Sequence, residues 1–136
     1  MSNSNIIEKQ DETSGQIGIF IYRTPKKNHD AIMQLNKQSY DLFMNYGVSQ
    51  FEVFSLNNRE NMMEFVNIAK TISANQDEEI WLEIQSYRNA KHVQEVMAKM
   101  ENDKSGETLY KQFMDLIVPG SIVSFGDFSR LEEIAK

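Results

Sequence analysis

The chain has 136 residues, a net charge of −6, 40% hydrophobic and 25% charged residues, and no cysteine. These totals fit one domain of ordinary soluble composition, and they exclude disulfides, thiolate catalysis and cysteine-based zinc sites. The acidic balance argues against nucleic acid or an anionic membrane as partner. No apolar run approaches the roughly 20 residues that cross a bilayer, and the N-terminus lacks the apolar core of a signal peptide, so a cytoplasmic location is expected.

Residues 1–16 are polar and without periodicity, and are expected to form a mobile tail ahead of a domain over residues 17–131, with a second short tail over 132–136. In the first strand, over 17–23, Ile17, Ile19 and Ile21 alternate with Gly18, Phe20 and Tyr22. Pro25 ends it, and the cluster Arg23, Lys26 and Lys27 reads as a solvated turn rather than a phosphate site. Asn28 is a good N-cap, and Ile32, Leu35, Ser39, Leu42, Phe43 and Tyr46 trace one helix face up to Gly47. A strand over 49–56 sets Phe51 and Val53 against Glu52, Phe54 and Leu56. Residues 60–76 read as a short helix or an irregular insertion.

The most regular stretch follows. Ile80, Leu82 and Ile84 alternate with Trp81, Glu83 and Gln85, and Val93, Val96, Met97 and Met100 then mark a helix face from Asn89 to Glu101. Residues 102–106 break the pattern before a shorter helix carrying Leu109, Phe113, Leu116 and Ile117. Val118-Pro119-Gly120-Ser121 predicts a type II turn, and a last strand runs over 121–128. The resulting order is that of a ferredoxin-like βαββαβ domain: an α+β fold with an antiparallel four-stranded sheet and its helices on one face.

Several of these segments are similar to the YbaA-like family of small bacterial and archaeal proteins. The resemblance is carried by Pro25-Lys-Lys-Asn28, Tyr46-Gly47, Tyr87-Arg88, His92, Val96, Ala98-Lys99, Asp103, Gly120 and Phe125-Gly126-Asp127-Phe128. It spans Ile17 to Leu131 and implies a dimeric α+β barrel, two sheets packed face to face. It brings no activity with it, because that family is itself uncharacterised. The chain departs from the family pattern at Pro119 and over residues 68–72.

The alternation gives the sheet an aliphatic face (Ile17, Ile19, Ile21, Ile80, Leu82, Ile84) and an aromatic, polar one (Phe20, Tyr22, Trp81, Glu83, Gln85, Tyr87). The aliphatic face is expected under the helices and the aromatic face in a homodimer interior, since exposed aromatic patches mark interfaces or pockets. Glu83 and His92 are the candidates for acid–base chemistry. Desolvation between Trp81 and Tyr87 would raise the Glu83 pKa, whereas an ion pair across the dimer with Arg23 or Arg88 is the structural alternative. His92 in a helix's first turn is placed to act as base or ligand, or else to bond the neighbouring loop. Phe20, Tyr22, Trp81 and Tyr87 are the expected ligand contacts. His29 reads as a surface residue. No metal or cofactor site is expected, for no metal-ligand spacing, phosphate loop or serine elbow is present. Two functions stay open: a dimeric module holding a small, partly apolar or aromatic ligand between sheet and helices, and a cofactor-independent enzyme, monooxygenase- or isomerase-like, the latter by fold analogy alone.

Overall fold

A computed structural model describes residues 14–131 and Ile134. Among these residues four strands form one antiparallel sheet in the order β2-β3-β1-β4. β1 (Gln16–Pro25) pairs along its whole length with β3 (Glu78–Tyr87); β2 (Gln50–Ser55) flanks β3 and β4 (Val123–Ser129) flanks β1. The helices are α1 (His29–Tyr46), the single turn α2 (Ile68–Thr71), α3 (Ala90–Glu101) and α4 (Lys104–Leu116), giving the order βαββααβ. No helix among the described residues is long and apolar enough to cross a membrane. The tail expected over residues 1–16 lies outside the described residues as far as residue 13, but Ser14 and Gln16 are already buried and Gln16 opens β1. The tail expected over 132–136 also lies outside them, Ile134 excepted.

Local chemistry sets the helix ends. Asn28 does not cap α1; its side-chain amide donates to the Leu116 carbonyl at 2.9 Å, tying the start of α1 to the end of α4. Asn89 does cap α3, its side-chain oxygen accepting from the His92 N–H at 2.8 Å. The break expected over 102–106 is confined to Asn102 and Asp103, because the Asp103 carboxylate accepts from the Ser105 N–H at 2.8 Å and starts α4 at once. Gly106 therefore sits inside α4. A Cβ there would lie 2.7 Å from the Tyr46 hydroxyl, so the bare Cα is what lets α4 lie close to α1.

The register places Phe20 opposite Glu83 and Tyr22 opposite Trp81 on one face, with Ile19 opposite Ile84 and Ile21 opposite Leu82 on the other. The helices cover the aromatic face, the reverse of the sequence expectation. Tyr22 and Trp81 pack with Ile32 and Leu35 of α1 and with Ile117, and Phe113 of α4 meets the Tyr22 ring edge-on at 4.8 Å. Tyr87 and Phe51 pack with Tyr46 and Val96. Alternation separates two faces but carries no information on which one receives the helices. Large rings fill the deep space beneath them, each stabilising the fold by about 1.5–3 kcal/mol on full burial. On the aliphatic face the insertion after β2 covers only one end, where Ala69, Ile68 and Ile72 meet Ile21 and Ile80. Ile17, Ile19, Leu82 and Ile84 are half-buried. On that same face Phe54 and Phe128 are 46% exposed and Val123 is 40% exposed.

Candidate functional site

A cavity of about 750 Å³ opens between the sheet and the helices, within the range of small-molecule sites. Phe20, Tyr22, Glu83 and Gln85 form its floor, all on the helix-covered face of the two central strands. Leu42, Phe43 and Tyr46 of α1, Met97 and Met100 of α3, and Leu109 and Phe113 of α4 form apolar walls. Glu101, Asp103, Lys104 and Glu107 also line it.

Glu83 is the carboxylate on this floor. Burial pushes its pKa up, and a hydrogen bond from the Gln85 side-chain N–H to Glu83 Oε2, 2.7 Å long, offsets part of that rise. The Gln85 side-chain oxygen in turn accepts from the Tyr87 hydroxyl at 2.6 Å. Three side chains two residues apart on one strand face thus form a ladder ending at the carboxyl. Tyr22 is fully buried; burial raises its phenol far above the ordinary range, and the hydroxyl accepts from Asn36 Nδ2 at 3.1 Å. At the α1–α4 junction the Tyr46 hydroxyl donates to Asp103 at 2.7 Å. Its phenol is pushed up to about 12 by burial and by that carboxylate, while Asp103 is held low by the bond from Tyr46 and the backbone of Ser105.

Of the residues expected to form a site, Phe20, Tyr22 and Glu83 meet in this cavity. Tyr87 connects to it through Gln85, and its phenol is raised to about 12, first by burial and then by Asp127 and Glu83. Trp81 turns instead to a separate groove of about 400 Å³ beside Met33, Tyr40 and Phe51. Its indole lies 3.3 Å from Glu79, and His29 sits over it at 5.9 Å. His92 does not reach the cavity lining. Its Nδ1 accepts from the Arg88 N–H at 3.0 Å, which fixes the proton on Nε2, and Nε2 donates to the Gly47 carbonyl at 2.7 Å. Both ring nitrogens are therefore engaged in joining β3 to the end of α1. Within one chain Arg23 pairs with Glu78 at 2.8 Å, Arg88 is exposed, and Glu83 accepts from Gln85. No group of three or more His, Asp or Glu side chains suited to a metal ion occurs among the described residues.

Sequence reasoning missed the walls. Leu42, Phe43, Met97, Met100 and Phe113 lie on apolar helix faces that read as core, and the same stripe serves equally to pack a sheet or to line a space above it. Gly106, which also lines the cavity, gave no signal, because residues 102–106 read as a break rather than as part of a helix.

Residues 16–116 match the family described as Protein of unknown function (DUF1428). The chain belongs to the DUF1428 family. The matched span runs from the start of β1 to the end of α4 and contains the cavity floor and all three helical walls. β4 lies beyond it. No curated protein matches the chain.

Proposed function

We propose that this DUF1428 protein binds a small, flat, partly apolar ligand in the cavity between sheet and helices. The observation that carries this is Glu83, the one carboxylate on the floor of a 750 Å³ space whose floor and walls are mainly rings, leucines and methionines, with Glu101, Asp103, Lys104 and Glu107 also lining it. Phe20 and Tyr22 supply apolar contact, and Glu83 holds the ligand's polar end. A small site of this composition binds by apolar burial and takes orientation from a few placed polar groups.

The same proposal includes a homodimer, a dimeric α+β barrel of the ferredoxin-like, YbaA-like kind, in a cytoplasmic setting that suits a chain without cysteine. The sheets meet through the aliphatic face, not the aromatic one. Phe54, Val123 and Phe128 with half-buried Ile19 and Ile84 make a patch of the sort that a second sheet covers.

A second reading, an enzyme without cofactor, is favoured by the raised Glu83 pKa beside Tyr22. A carboxyl poised nearer neutrality serves as general acid or base. Thermal shift separates the possibilities. With 2-naphthol or 1,4-naphthoquinone at 100 times Kd, mass action adds about 2.7 kcal/mol of stability. Glu83→Gln is expected to reduce the shift and His92→Ala to leave its size unchanged. Hits indifferent to Glu83→Gln would sink the site assignment, and turnover of a bound compound that Glu83→Gln abolishes would establish the enzyme.

A further inference from the structure

We infer that the Tyr87–Gln85–Glu83 ladder is a positioning device that reserves Glu83 Oε1 for the ligand and selects ligands bringing a hydrogen-bond donor, such as a phenol or enol O–H. This rests on the cavity proposed above. The Tyr87 hydroxyl carries a proton and donates it to Gln85 Oε1 at 2.6 Å. The amide is thereby fixed in one of its two orientations, with Nε2 toward the carboxyl at 2.7 Å. An N–H pointing at Glu83 Oε2 favours the ionised, acceptor-only form and occupies that oxygen. The second oxygen is left as the acceptor. Tyr87 lies outside the lining of the cavity, so it acts only through Gln85.

Other charged and titratable groups surround the same space. Tyr22 comes from β1, Tyr46 from α1 and Glu101 from α3. From the α4 side come Asp103, Lys104, Glu107 and Tyr110, and Asp127 of β4 acts on Tyr87. Lys104 is the one cation lining the cavity among the described residues, and what opposes ionisation of Glu83 is its burial. The ladder works against that background, which makes its removal measurable.

The test is the Glu83 side-chain carboxyl titration by carbon NMR, in wild type, Tyr87→Phe and Gln85→Met. With the tyrosine proton gone, the amide is free to turn its oxygen to the carboxyl and stabilise the protonated acid. Both variants are expected to raise the Glu83 midpoint. A merely structural role for Tyr87 would lower the unfolding midpoint and leave the titration where it was, and an unmoved titration in both folded variants overturns the inference. Two probes of one shape examine the ligand class. 2-Naphthol is expected to bind at least about tenfold tighter than 2-methoxynaphthalene, a difference of about 1.4 kcal/mol, and to lose that margin in Glu83→Gln. Equal affinity of the two overturns the donor selection alone. Binding of neither overturns the cavity reading as well, while the titration still judges the ladder.

Discussion

His92→Ala separates structure from chemistry most cleanly. His92 is 4% exposed and bridges the Arg88 N–H and the Gly47 carbonyl. Each hydrogen bond contributes about 1 kcal/mol net, and truncating the ring, which meets Tyr87 edge-on at 5.7 Å, adds a packing loss of about 1 kcal/mol or more. The sum is about 3 kcal/mol. With an unfolding entropy of roughly 2.1 cal/mol/K per residue, a chain of 136 residues loses about 10 °C of Tm. Urea unfolding followed by the fluorescence of Trp81, the single tryptophan, reads the change as a lower midpoint at constant m-value. Affinity for a cavity probe such as 2-naphthol should stay within twofold of wild type. A loss below about 1 kcal/mol, or a tenfold fall in affinity in the folded variant, would refute a purely structural His92.

Three further outcomes follow from the same geometry. Glu83→Gln removes a buried charge whose folded pKa is raised, so it should stabilise the protein at pH 8 by on the order of 1–3 kcal/mol. Above the folded pKa the ionised wild-type carboxyl costs stability. As pH falls through that pKa toward the unfolded value the cost disappears, and the gap between variant and wild type should close; a gap independent of pH from 4 to 8 would contradict the burial of the charge. Ile84→Asp on the aliphatic face should turn a micromolar dimer into a folded monomer by light scattering, and a wild type that is itself monomeric at that concentration removes the dimer from the account. Gly106→Ala should cost about 1 kcal/mol net in urea unfolding, overpacking against the Tyr46 hydroxyl outweighing the helical preference for alanine, and a stabilised variant would show that α4 need not lie so close.

The strands and helices were legible in the sequence because their signals are local. Alternation at Ile80 to Gln85 and the 3.6-residue spacing of Val93, Val96 and Met100 need no knowledge of partners. The side on which helices pack is a non-local property, set by how strand order and crossover handedness combine, and period two does not encode it. That is why the Ile17–Ile21 face and the Phe20–Tyr22 face were exchanged. Glu83 was legible as an acid among rings. Its ladder was not: alternation put Gln85 and Tyr87 on the same face as Glu83, expected inside a dimer, but does not encode the side-chain orientations that join them. For His92 the bond to the neighbouring loop was legible, its Arg88 partner lying four residues away, whereas Gly47 is 45 residues away and has no local signal.

The methionines provide the most direct test of the cavity. Met97 and Met100 line it, Met33 lines the neighbouring groove, and Met62 and Met63 lie on the exposed insertion at 67% and 87% exposure. In a carbon–proton NMR titration of methyl-labelled methionine with 2-naphthol, the Met97 and Met100 signals should move together and saturate, with those of Met33, Met62 and Met63 unmoved. Saturable shifts at Met62, Met63 or Met33 with Met97 and Met100 silent would contradict the cavity beside Glu83 as the binding site.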